Sequence, residues 1–189
     1  MGELSIRVFM IQTGIACVVN QETNKLEVKK VENLSIVSLR ISKSCVDEAI
    51  DRLDLAGPLK VSGSDPCSLW LGPDRWLLVG NNTPEELIDS CEQQLTGILH
   101  HAVDYSRALS TQKVIGKDAW RLLASGTSID LRPAHFTVGS CCRTRLGQVA
   151  AVIVANGNDE FSLHVDRSYE TYLSDWLAES VSIYCSRFN

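Results

Sequence analysis

Long apolar runs, basic clusters and glycine-rich phosphate loops are all missing from this sequence, and each absence removes a class of function. No stretch of 18 apolar residues occurs in the 189, so no segment is long enough to span a bilayer as a helix. Lys and Arg number 18 against 23 Asp and Glu, a formal net charge of −5, and no run of Lys and Arg breaks that balance. A nucleic-acid protein needs a basic face for phosphate contacts, so that class is set aside. The spacings G-x-x-x-x-G-K-[ST] and G-x-G-x-x-G are absent, and with them the backbone cradles that hold a dinucleotide. The nucleophile elbow G-x-S-x-G is missing as well.

The cysteines lack a pattern. Cys17, Cys45, Cys67, Cys91, Cys141, Cys142 and Cys185 are odd in number and show no C-x-x-C spacing, which argues against a disulfide framework or a zinc site. Reduced, mostly buried thiols are expected. Near the N-terminus an apolar patch runs from Val8 to Val19, interrupted by Gln12 and Thr13 and preceded only by Arg7 after the acidic Glu3. A secretory signal wants a basic start and a small-residue cleavage site, so a cytoplasmic chain is expected.

What is present is a globular composition, 44% hydrophobic and 22% charged, in a chain long enough to bury a core without metals or disulfides. Residues 1–33 carry no firm period and read as an extended N-terminal arm. Regular signals begin at Leu34. LSIVSLRIS (34–42) alternates as a half-buried strand, and Ser44 to Asp47 has the form of a capping box. Val46, Ala49, Ile50 and Leu53 follow as one helical stripe, closed by Gly57-Pro58. Strands are predicted at 68–72 and 75–80 around the turn Gly72-Pro73-Asp74. Thr83-Pro84-Glu85-Glu86 is a strong helix start, and 98–105 reads as another strand. The order βαββαβ over 34–106 suits a ferredoxin-like layer.

The remaining residues, 107–189, predict a strand at 108–116, a helix at 117–124 and strands at 141–147, 149–156 and 160–166. The last two strands are joined by the hairpin turn Asn156 to Asp159. A final helix spans about 167–181, with Tyr169, Tyr172, Leu173, Trp176 and Leu177 as its stripe. The fold class is α+β: two β/α units of mainly antiparallel sheet with helices packed on one face. No sequence repeat of fixed period relates the two halves.

No residue set stands out as catalytic, cofactor-binding or metal-binding. His100 and His101 are strand neighbours that point to opposite faces, and His164 has no nearby ligand; with His135 they read as structural. Cys141-Cys142 beside Arg143 and Arg145 has the form of an activated thiol pair, but a strand that buries one of them is the favoured reading. Asp104-Tyr-Ser-Arg107 sits at a strand end, where Asp and Ser are expected to bond the backbone. Trp120, beside Leu122 and Leu123, is assigned to the core. Trp70 and Trp76, which flank a turn, and Trp176 on the last helix are candidates for a partner interface.

Four segments together resemble the sarcosine oxidase gamma subunit family. Trp70-Leu-Gly-Pro-Asp-Arg-Trp-Leu-Leu78 resembles its W-L-G-P-D-x-W-L-L segment, and Val103-Asp-Tyr-Ser-Arg-Ala108 a shortened form of its V-D-x-S-x-x-R-A region. Gly126 to Pro133, with Phe136, Gly139-Ser140-Cys141 and Thr144, resembles G-x-x-x-D-L-x-P…F…G-S-C…T. Phe161, Arg167-Ser168-Tyr169 and Trp176-Leu177 resemble its ending. The match covers about residues 34–180, and the arm is not matched.

The resemblance implies a fold like the folate-binding domain of the glycine-cleavage T-protein. Where catalytic relatives carry acids that assist folate chemistry, this chain has Ala150 and Ala151, and a methyl group accepts no proton. The implied role is therefore a non-catalytic subunit of a heterotetramer with alpha, beta and delta chains. That complex oxidises sarcosine to glycine and hydrogen peroxide and releases the one-carbon unit as formaldehyde or methylene-tetrahydrofolate. Flavin, NAD, tetrahydrofolate and zinc are expected on the partner subunits, none on this chain. The alternatives are a free-standing folate-dependent aminomethyltransferase-like or tRNA-modification protein, and an unrelated binding module on the same fold.

Overall fold

The computed structural model describes the backbone of residues 9–11, 14–16 and 26–188, and side chains from Leu26 to Tyr184. The side chains of Val8–Val19, Cys17 and Cys185 lie outside the described residues. The chain runs through β1 (Phe9–Ile11), β2 (Gly14–Ala16), β3 (Glu27–Val31), β4 (Ser35–Ile41), α1 (Val46–Leu53), β5 (Val61–Gly63), β6 (Cys67–Gly72) and β7 (Arg75–Gly80). It continues through α2 (Pro84–Gln94), β8 (His100–Asp104), β9 (Leu109–Ile115), α3 (Ala119–Ala124), β10 (Cys141–Leu146), β11 (Val149–Gly157), β12 (Glu160–Asp166) and α4 (Glu170–Phe188). Apart from the β1–β2 hairpin, the strands form two five-stranded sheets, ordered β5-β6-β7-β4-β8 and β10-β11-β12-β9-β3. Every pairing in both sheets is antiparallel.

In the first sheet α1 lies between β4 and the β5–β6 pair, and α2 between β7 and β8. From β4 the chain passes over β7 and β6 to reach β5, and from β7 it passes over β4 to reach β8; with β5 as an added edge strand, β4, β6, β7 and β8 keep the split arrangement of a ferredoxin-like layer. The second sheet repeats that order when β9, α3, β10, β11, β12 and α4 are set against β4, α1, β5, β6, β7 and α2. The position of β8 is then filled by β3, from the start of the chain. The second half is thus a circularly permuted form of the first. This corrects the reading of 1–33 as an arm throughout, because Glu27–Val31 is an outer strand paired with β9 from Glu27↔Ile115 to Val31↔Thr111. Its five residues offer too short an alternation to stand out, yet Leu26 and Val28 are buried. β5 also escaped the sequence reading.

The layers stack as helices, sheet, sheet, helices. On the outer face of the first sheet Val37, Leu39, Ile41, Trp76 and Leu78 pack against Ala49 of α1 and Leu87 and Cys91 of α2. On the outer face of the second, Val114, Ile153, Phe161 and Leu163 pack with Leu122 and Leu123 of α3 and Leu173, Leu177 and Val181 of α4. Between the sheets Ile36, Leu69, Leu77 and Val79 meet Cys141, Val152 and Val154. Each of the larger apolar side chains so buried contributes roughly 1.5–3 kcal/mol. β4, read as half-buried, is covered on both faces by these layers and keeps only Arg40 exposed.

The helix ends show which local signals prevailed. Thr83 Oγ1 accepts from the Glu86 amide at 3.3 Å and Glu86 Oε2 from the Thr83 amide at 2.9 Å, a complete capping box with proline in the first turn. The box expected at Ser44–Asp47 does not form. A 3-10 turn at Lys43–Cys45 precedes α1, which has no side-chain cap, and Ser44 Oγ lies 3.2 Å from Ser42 Oγ instead.

Candidate functional site

The G-S-C block fastens the second sheet to the first. Gly139 adopts φ +78°, a left-handed conformation suited to glycine. Its amide donates to the Ala155 carbonyl, while its carbonyl accepts from the Val61 amide, both at 2.9 Å. Cys141 donates its amide to the Leu59 carbonyl at 2.9 Å and its thiol to the Trp70 carbonyl at 3.5 Å. The cysteine of one family-like block thereby bonds the tryptophan of the other.

A second joint is built from Asp104-Tyr-Ser and Arg167. Asp104 Oδ1 accepts from the Ser106 amide at 2.8 Å, and Ser106 Oγ accepts from the Ile36 amide at 3.0 Å. The Arg167 guanidinium donates to the carbonyls of Arg107 and Leu109 at 2.7 and 3.1 Å. These polar residues bond the backbone, as expected of a strand end. Asp130 caps its own turn in the same manner. The hydrogen bond from the Arg132 guanidinium holds its carboxyl down to about 2. Leu131 is buried, and Phe136 stacks on Phe161 with ring centroids 6.4 Å apart.

The tryptophans divide. Trp76 is 1% exposed and its indole N–H donates to the Ala56 carbonyl at 2.8 Å, so it is a core residue with no surface to offer a partner. That removes Trp76 from the interface candidates. Trp70, directly across the ladder from it, is half-buried at the edge of the same core. Trp176 is half-buried over Gly126, where an added Cβ would run into its ring. Trp120, assigned to the core, lies at its rim with the Arg121 guanidinium 5.1 Å from the ring centroid.

The titratable groups are set for structure. Burial pushes the Cys91 and Cys142 thiols up to about 11 and Cys141 to about 12, which keeps them protonated and disfavours the activated-thiol reading of Cys141-Cys142. His164 is fully buried between the sheets with Nδ1 2.9 Å from Thr111 Oγ1, and burial lowers its pKa to about 4. His100 Nδ1 lies 2.8 Å from the Ile98 carbonyl. Among the described residues no group of three His, Cys, Asp or Glu is placed to hold a metal ion. Ala151 packs in the second core and Ala150 faces outward, and neither side chain can exchange a proton with a folate. No helix among the described residues is long and apolar enough to cross a membrane.

Comparison with known proteins bears on this arrangement. The model of the family described as "Sarcosine oxidase, gamma subunit family" matches residues 42–182. The curated sarcosine oxidase subunit gamma of Corynebacterium sp. (strain U-96) is 26% identical over 114 residues, 60% of this chain. The aligned stretch spans 55% of that relative's length. A chain of the heterotetrameric sarcosine oxidase from Corynebacterium sp. U-96, solved with pyrrole 2-carboxylate, superposes with a TM-score of 0.77. Its identity is 22%, and 88% of each chain is covered. The glycine cleavage system aminomethyltransferase T of Bartonella henselae superposes with a TM-score of 0.59 at 14% identity, over 80% of this chain and 45% of that one. The structural likenesses carry the fold, T-protein-like as expected. The family match covers well over half of the sequence and takes in all four motif segments, so the chain belongs to the sarcosine oxidase gamma subunit family.

Proposed function

We propose that this chain is a non-catalytic subunit of a heterotetrameric sarcosine oxidase. It assembles in the cytoplasm with alpha, beta and delta chains that carry flavin, NAD, tetrahydrofolate and zinc. The complex demethylates sarcosine oxidatively to glycine, with hydrogen peroxide and formaldehyde or methylene-tetrahydrofolate as the other products. The observation that carries this reading is the family match over residues 42–182. The local chemistry supports it: Gly139 and Cys141 of the family-like blocks are spent on bonding the two sheets together, Cys141 to Trp70, and Ala150 and Ala151 offer no acid for folate chemistry. Trp70 and Trp176, both half-buried, remain the interface candidates among the tryptophans.

Co-expression with the alpha, beta and delta chains tests the proposal. A four-chain complex that produces peroxide from sarcosine should co-purify, while the isolated chain should be colourless and inactive toward sarcosine and tetrahydrofolate. Turnover by the isolated chain, or failure to co-purify, refutes it.

A further inference from the structure

The turn Gly72-Pro73-Asp74 does more than reverse the chain between β6 and β7. It forms one wall of a cleft of about 620 Å³ that both halves of the molecule line. Four exposed cations surround it: Arg40 from β4, Lys43 from the 3-10 turn, Arg75 from β7 and Arg143 from β10. Among the described residues only two carboxylates, Asp47 and Asp74, share the lining.

Asp74 is already engaged. Its side chain is 13% exposed, and it receives Arg40 Nε at 3.3 Å on one oxygen and faces Arg75 Nε at 3.7 Å with the other. Held by their Nε edges, the two guanidinium groups are oriented by a mostly buried anion. Their terminal amino groups make no hydrogen bond among the described residues. Lys43 and Arg143 have no ion-pair partner among the described residues either. The apolar side chains of Val46, Leu71 and Pro73 complete the lining. A chain of net charge −5 therefore concentrates uncompensated positive charge in one concave place.

We infer that this cleft is a docking site for an acidic segment of a partner subunit, an inference that rests on the subunit reading above. Charge complementarity selects an anionic occupant. Size and layout select a peptide over a lone anion. The volume lies within the roughly 300–1,000 Å³ of clefts that enclose whole ligands. The cations stand on four separate elements around apolar surface, and a run of Asp or Glu with an apolar neighbour satisfies all of them at once. Arginine suits this role because its planar fork takes a carboxylate through two parallel bonds.

The test uses the co-expressed four-chain complex. Lys43→Glu with Arg143→Glu reverses the two cations that have no ion-pair partner among the described residues, so Asp74 keeps Arg40 and Arg75. Lys117→Glu, on an exposed loop residue, is the control. The double variant should weaken assembly at least about tenfold at low salt, flatten the loss of assembly with added salt, and leave the melting temperature of the isolated chain unchanged. Arg143→Lys should recover part of the loss. Carbodiimide treatment of the wild-type complex should join Lys43 to an Asp or Glu of a partner chain, as read by peptide mass spectrometry. Assembly of the double variant at wild-type affinity, with no such cross-link, overturns the inference while the subunit reading stands. Saturable binding of inorganic phosphate to the isolated chain that is lost in Arg143→Glu, with assembly untouched, also overturns it in favour of a small-anion site. A wild-type chain that never joins the complex defeats the subunit reading and this inference together.

Discussion

Burial of His164 should make the stability of this protein fall in mildly acidic solution. Its ring is fully buried between the two sheets, beside Thr111 on the neighbouring strand, and burial holds its pKa at about 4 against an ordinary 6.5. The unfolded chain, with the ring in water, takes up a proton as the pH falls through 6.5, whereas the folded chain resists until about 4. Stability is therefore whole above pH 6.5, declines between 6.5 and 4, and levels below. The full shift corresponds to about 3 kcal/mol, and between pH 7.5 and 5 linkage gives a loss of about 2 kcal/mol. Asp65, Glu160, Asp166 and Glu170 are held below ordinary values of 3.8 or 4.5 by hydrogen bonds. Their stabilisation is present above those ordinary values and is lost only under more acidic conditions, so the window down to pH 5 belongs mainly to the histidine. Urea unfolding followed by tryptophan fluorescence at about pH 7.5, 6.5, 5.5 and 5 measures the slope. His164→Gln should flatten it, whatever its own cost at pH 7.5. Equal slopes in the two proteins, or a flat wild-type profile, would show that the buried ring is not the source.

Two further outcomes follow from packing. Gly126→Val places carbon atoms where the Trp176 ring lies, so the indole should be displaced, its emission should shift to the red, and stability should fall by about 1–3 kcal/mol; unchanged emission refutes this seating of Trp176. Trp76→Ala should cost about 3–5 kcal/mol in urea unfolding of the isolated chain, as loss of a core side chain does. A loss of assembly without loss of stability would return Trp76 to the interface.

The elements set by local chemistry were legible in advance. Thr83-Pro84-Glu85-Glu86 carries its own cap, and Asn156 to Asp159 its own turn, so neither depends on the rest of the molecule. β3 was not legible, because Glu-Val-Lys-Lys-Val becomes a strand only where β9 offers an open edge. The double-sided burial of β4 depends on the second sheet, which no window around Leu34 contains. The same holds for Trp76: a tryptophan beside a turn suits a core and a surface equally until α1 and α2 are in place. The family-like blocks were visible as strings, but their physical purpose, Cys141 bonding to Trp70 across the sheets, needed coordinates. The basic cleft was invisible for a simpler reason, since Arg40, Lys43, Arg75 and Arg143 come from four elements and form no run.

The permuted strand has a consequence for how the chain closes on itself during synthesis. β3 leaves the ribosome before the whole of the first sheet, yet its partner β9 follows only after that sheet is complete. An open chain of that length would resist closure through lost conformational freedom. The inserted sheet removes most of that resistance, because its two ends are already neighbours: the Tyr105 amide donates to the Ile36 carbonyl at 2.7 Å. Once folded, the inner unit acts as a clamp that sets the early strand beside the late one. A cut between the two sequence halves would therefore strand the edge strand with the wrong fragment, and the later fragment, expressed by itself, would present β9 as a bare edge open to other chains.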